Sequence, residues 1–249
     1  MDKSKTIPGL IRYSRGQCAQ CETVSQSEQY HGLDLSVNPE GKEVLLKGEF
    51  FQWRCPKCGL EADTAWPCWY FDPESKLGIA LVPGLDSSTG EKALQTMNQN
   101  LEGLALSNMT HRAAGNFYAM QEIVRAHDAG LDDRTIQLAK PLIIGQLQSQ
   151  GEVVWNGFFQ GVSTPAEGEE PVRAVLYASQ EKEPVYGQPV YWYDIPLTDR
   201  RIVHAGVNET LFQMCQGMLE QSGAQPDDGK FHLYDLNWAI SVHNRMQKG

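Results

Sequence analysis

Cys18-Ala19-Gln20-Cys21 and Cys55-Pro56-Lys57-Cys58 are two Cys-x-x-Cys pairs separated by 33 residues. A pair at this spacing brings two sulfurs together across one tight turn. Two such pairs supply four soft thiolates, the ligand set of a closed tetrahedral zinc site. The spacing therefore predicts a zinc ribbon in which Cys18, Cys21, Cys55 and Cys58 hold one structural Zn2+, a site that iron also fits. Four protein ligands leave no open position for a reacting water, so such a site stabilises a fold and performs no chemistry. A redox-active dithiol is the competing use of these residues. It needs an exposed, low-pKa thiolate at a helix N-terminus, whereas both pairs here are flanked by strand-like sequence. Cys68 and Cys215 read as unpaired, buried thiols, and six cysteines used in this way fit a reducing compartment better than a disulfide framework.

Other chemistry is sparsely represented. The chain has no Gly-x-Ser-x-Gly, no phosphate loop and no Gly-x-Gly-x-x-Gly. Its six histidines, His31, His111, His127, His204, His232 and His243, lack metal-ligand spacing. His204 with Glu209, or Cys215 with a distant histidine, are conceivable dyads that nothing in the sequence prefers. Asp132 and Asp133 follow Gly130, where capping a helix explains them better than paired acid catalysis.

The elements around the knuckles read as a small sheet. Val24 and its neighbours, Leu33-Asp34-Leu35-Ser36-Val37, Phe50 to Arg54, Glu61 to Ala65, Trp69-Tyr70-Phe71 and Leu77 to Val82 have strand patterning. Asn38-Pro39 opens a short helix that Gly48 closes. From Ser87 the period changes to three and four. One helix is predicted through Leu94, Met97, Leu101, Leu104 and Ala105, a second over Thr110 to Ala129 and a third after Asp132. Strands return at Val153 to Phe159, Val172 to Ala178 and Pro189 to Ile195, as an antiparallel meander. Helices over Asn208 to Gln221 and Leu236 to Met246 finish the chain. The expected fold is α+β, with a ribbon domain over residues 10–148 and an α+β subdomain over 151–249.

The stretch from Asn38-Pro39-Glu40 through Leu45-Leu46-Lys47-Gly48-Glu49, Cys55-Pro56-Lys57-Cys58-Gly59, Trp66-Pro67, Tyr70, Asp72 to Leu77 and Leu81-Val82-Pro83 resembles the CpXC family of bacteria and archaea, named for its paired Cys-Pro-x-Cys knuckles. Gly130-Leu131-Asp132-Asp133-Arg134 is similar to the end of that domain. Ala19 stands where the family has proline, and both cysteines of that knuckle remain. The resemblance implies the metal site and a domain over roughly residues 14–147; it implies no reaction, since the family has no assigned activity.

Net charge is −10. Residues 10–83 carry seven Lys or Arg against ten Asp or Glu, so no basic face is hidden in the ribbon. Nucleic-acid binding, which rests on clustered basic residues, is disfavoured, and an acidic surface suits a basic protein partner. Tyr186, Tyr191, Trp192 and Tyr193 are the candidate partner-binding patch, because alternation sends some of these rings outward. With no apolar N-terminal leader and no membrane-length apolar run, the expected location is the cytoplasm. Together these features predict a zinc-binding, nonenzymatic protein-interaction module, in its most concrete form an immunity or antitoxin-like inhibitor. The alternatives are a nucleic-acid-associated ribbon and an enzyme with its site between the two subdomains.

Overall fold

The structure, a computed structural model, describes residues 11–100, 108–164, 166, 187–224 and 227–247. It mixes helices and strands as an α+β fold. The chain divides into two compact units, the first running to Gln121 and taking back Asp227–Leu233, the second comprising Glu122–Pro226 and Tyr234–Gly249.

In the first unit, β1 (Ile11–Gln17) and β2 (Val24–Tyr30) form an antiparallel hairpin in continuous register, Ile11 opposite Tyr30 through Gln17 opposite Val24. A mixed sheet follows the order β3 (Gly32–Asp34), β6 (Cys68–Asp72), β7 (Leu77–Leu81), β8 (Thr110–Ala114). The central pair is antiparallel and both outer pairs are parallel. β7, Leu-Gly-Ile-Ala-Leu, is buried along its whole length, which suits a near-continuous apolar run in a central strand. Between β3 and β6 lie α1 (Gly41–Leu46), a 3-10 turn at Glu49–Phe51 and a short hairpin of β4 (Gln52–Arg54) with β5 (Glu61–Asp63). α1 begins two residues later than the Asn38-Pro39 signal predicts, and no side chain caps it.

Residues 110–114 correct the sequence expectation. The helix predicted over Thr110 to Ala129 is a strand followed by the shorter α3 (Phe117–Asp128). Pairing with β7 buries His111 through Ala114 and overrides their helical propensity. Gly115 marks the break, since a Cβ there would run into the Leu85 carbonyl oxygen. Asn116 then starts the helix, its Oδ1 accepting from the Ala119 N–H at 2.9 Å. α2 (Glu91–Asn100) precedes β8; Leu101, Leu104 and Ala105, assigned to the same helix from sequence, lie outside the described residues.

The second unit is built on the antiparallel meander β9 (Phe158–Ser163), β10 (Val190–Pro196) and β11 (Ile202–Asn208). The strand predicted at Val172 to Ala178 lies outside the described residues. β11 has no counterpart in the sequence expectation. Packed with the sheet are α4 (Asp133–Ser149), α5 (Glu209–Gln221) and α6 (Leu236–Met246), capped by Asp132, Asn208 and Asp235, whose side chains accept from Arg134, Leu211 and Trp238 N–H groups. Ile136, Ala139 and Ile143 of α4 share one core with Tyr193, Val207, Leu211, Phe212 and Val242. The division between the two compact units falls at Gln121/Glu122, inside α3.

One polar group lies at the centre of the second unit. The fully buried Glu122 carboxylate accepts from Lys140 Nζ, Gln137 Nε2 and the Phe159 N–H, each at 2.7 Å. Lys140 also sits 5.5 Å from the Phe158 ring centroid.

Candidate metal centre

The two knuckles share one backbone frame. In the first, the Cys18 N–H donates to Thr23 O at 3.0 Å and the Glu22 N–H returns to Cys18 O at 2.9 Å. In the second, the Cys55 N–H donates to Leu60 O at 2.8 Å and the Gly59 N–H to Cys55 O at 3.0 Å. The residue after the second cysteine of each knuckle takes a left-handed conformation, Glu22 at φ 56° and Gly59 at φ 74°. Glycine meets that demand at no steric cost, whereas an L-residue with a Cβ does not. These frames place the cysteines at the ends of β1 and β4, as strand-flanked knuckles require.

Four sulfurs converge. Cys18 Sγ lies 3.6 Å from Cys58 Sγ, and Cys21 Sγ 3.6 Å from Cys55 Sγ, so each close pair takes one thiol from each knuckle. All four Sγ atoms lie within 4.8 Å of one another. A tetrahedron with metal–sulfur bonds of about 2.3 Å has sulfur–sulfur edges of about 3.8 Å, so the donor set and its size fit one metal ion. A disulfide would bring two sulfurs to about 2.05 Å, and all four cysteines are free.

The surroundings of Cys21 and Cys58 push their thiols in opposite directions. The Thr23 hydroxyl and its backbone N–H bring Cys21 down to about 6. At Cys58 the Leu60 N–H favours the thiolate, yet desolvation and the three facing thiols outweigh it and push the thiol up to about 12. A cation at the centre of such a cluster favours the thiolate form of its ligands. Cys68 and Cys215 are different: burial pushes each up to about 12, the inert behaviour of core thiols.

Residues 17–140 match the family model of the CpXC protein. Through this segment the chain belongs to the CpXC family. The matched stretch contains both knuckles and the whole mixed sheet of the first unit. Comparison with curated proteins and with solved structures gives no match.

Most of the rings around the CpXC knuckles are core. Phe50, Phe51, Trp66 and Tyr70 are buried, with Phe51 centred 4.9 Å from both Phe50 and Trp66 and 5.6 Å from Phe117. The Trp66 indole N–H donates to Tyr30 O at 3.0 Å. Tyr13, Trp69 and Tyr118 are the exposed rings among the described residues of the first unit.

Two rings of the tyrosine patch predicted in the meander are buried. Tyr191 stacks on Phe212 at 3.7 Å and donates its hydroxyl to Glu209 at 2.6 Å; Tyr193 is fully buried and donates to Ile136 O at 3.3 Å. Alternation turns both tyrosines inward and leaves Trp192 on the other face, its indole N–H bonded to Ser163 Oγ at 2.8 Å. Tyr186 lies outside the described residues. Among the described residues of the second unit, the exposed large apolar side chains are Val153, Trp155, Val162, Ile202, Met214 and Ile240.

Of the conceivable dyads, His204 does not meet Glu209. Its Nδ1 lies 2.6 Å from Asp194 Oδ1 across the β10–β11 register, while Glu209 holds Tyr191 and Gln213. His243 Nε2 bonds Leu138 O at 2.8 Å. Finding the Asp194–His204 pair from sequence requires recognising β11 first. Among the described residues no helix is long and apolar enough to cross a membrane.

Proposed function

We propose that this CpXC protein is a zinc-clamped, nonenzymatic module that holds a protein partner. The observation that carries this is the closed set of four thiols, which fills a tetrahedral ion and leaves no protein-free position for substrate. Zinc is favoured because four thiolates at tetrahedral spacing and no redox requirement suit a d10 ion. The net charge of −10 favours a basic partner, and an immunity or antitoxin-like inhibitor is the concrete form. With Tyr191 and Tyr193 in the core, the contact surface is assigned to the exposed Val153, Trp155 and Ile202; Val154 between the first two pairs with Leu197 and leaves its neighbours outward.

The test is purification of the tagged full chain from its native host, with metal, protein and nucleic acid measured in one eluate. One zinc per chain with a stoichiometric basic protein, lost on Trp155→Ala without loss of zinc, supports the proposal. Metal-free protein overturns the clamp, and nuclease-sensitive material in place of a protein overturns the partner.

A further inference from the structure

The segment Asp227–Leu233 lies outside the family-matched residues, more than 100 positions after β8, yet it packs within the first unit. It runs alongside the β8 edge. The Ala113 N–H donates to His232 O at 2.8 Å, the His232 N–H donates to His111 O at 3.4 Å, and Arg112 and His232 form a parallel bridge. Asn98 of α2 completes the pairing from the other side: the Phe231 N–H donates to its Oδ1 at 2.7 Å and its Nδ2 donates to Phe231 O at 3.0 Å. A side-chain amide is here standing in for a neighbouring strand.

Two side chains of the segment are seated against the first unit. Phe231, 4% exposed, sits with its ring centroid 5.5 Å from Trp69, edge-on at 85°, and 4.8 Å from His111. Gly78 makes room for that arrangement, since a Cβ there would come within 2.9 Å of the His111 ring. Four residues earlier, Asp227 Oδ1 meets Arg112 NH1 at 2.6 Å and its Oδ2 accepts from the Thr110 hydroxyl at 3.3 Å. The Arg112 side chain is 2% exposed; a guanidinium that deep needs a carboxylate partner. Gly229, at φ 77°, supplies the turn between the two anchors.

Backbone pairing on a sheet edge, with neighbouring side chains held in dedicated pockets, is a way proteins recognise peptides. We propose that the β8 edge is an acceptor site for a short peptide that turns at a glycine between a carboxylate and an aromatic side chain four residues later, and that Asp227–Leu233 is a copy of that ligand built into this chain. The acceptor stands independently of the zinc and of the basic partner proposed above.

The probe is a free peptide of the sequence of residues 227–233, titrated calorimetrically into the full chain and into the Asp227→Ala/Phe231→Ala double variant. A tethered segment competes at millimolar effective concentration, so the variant should bind the peptide at least tenfold more tightly than the parent, and a peptide with its phenylalanine replaced by alanine should not bind. A folded variant that ignores the peptide, or parent and variant binding alike, overturns the proposal. Should the double variant not fold, excess peptide added to the parent protein should speed hydrogen exchange at the Phe231 and Ala113 amides; unchanged exchange at millimolar peptide overturns it equally.

Discussion

Lys140→Met tests whether the buried ion group of the second unit is held by charge or by packing. Methionine keeps most of the lysine stem, so the substitution removes the ammonium and little volume. It leaves the Glu122 carboxylate, fully buried, with the Gln137 amide and Phe159 N–H as its remaining donors. Breaking a buried pair by deleting one partner costs about 3–5 kcal/mol, because the surviving charge stays desolvated. At about 4 °C per kcal/mol that is a fall in Tm of about 10–20 °C. Glu122→Gln combined with Lys140→Met removes both charges and keeps an acceptor for the Phe159 N–H, so the double variant should be more stable than Lys140→Met alone by about 1–3 kcal/mol. Guanidinium denaturation followed by circular dichroism measures both. A Lys140→Met cost below about 1 kcal/mol, or a double variant no better than the single, would refute the electrostatic account.

The left-handed residue of each knuckle gives opposite expectations: Gly59→Ala should cost about 1–2 kcal/mol, whereas Glu22→Gly should be neutral or stabilising by up to about 1 kcal/mol, both read from thermal melts of metal-loaded protein. Cys55→Ser should leave the ribbon unfolded and metal-poor, since metal contributes folding energy on the order of 10 kcal/mol; a native-like variant with full metal by elemental analysis would contradict it. Metal affinity should fall as pH is lowered from 8 to 6, because binding must release the proton held at Cys58, whose thiol stands at about 12, and because acid also reprotonates Cys21 near 6; competition against a chromophoric chelator at the two pH values should show this, and a flat profile would count against four thiolate ligands. Gly115→Ala should destabilise by about 1–3 kcal/mol through its collision with the Leu85 carbonyl, measured by denaturant midpoint.

How far each element could be read from sequence follows from where its information lies. The knuckles were legible because two thiols at a fixed spacing have few other uses, and α4, α5 and α6 because a cap and a 3.6 period are both local. β8 was not: Thr110 to Ala114 lacks alternation, and it is a strand only because β7 lies alongside it. β11 is interrupted by Gly206, whose absent side chain makes room for the Trp192 ring, where a Cβ would come within 3.0 Å; the residue that breaks the strand pattern is the one the packing requires. Tyr191 and Tyr193 alternate as read, but alternation fixes which residues share a face and not which face meets the core. Asp227–Leu233 looks like a polar turn, and the groups that give it a place, Asn98, Arg112, Trp69 and His111, are more than 100 positions away.

The four thiols are unequally reachable: Cys18 and Cys55 are buried, Cys21 is half-buried and Cys58 is exposed. An ion seated among them would therefore meet a chelator, an oxidant or an exchanging metal first at the Cys58 side. Release needs all four bonds to break, and the Cys58 bond is the one an incoming ligand reaches first. Gln20, 3.9 Å from the Cys58 sulfur, stands on that side, so the rate at which metal is exchanged there is set by the approach to one exposed thiol.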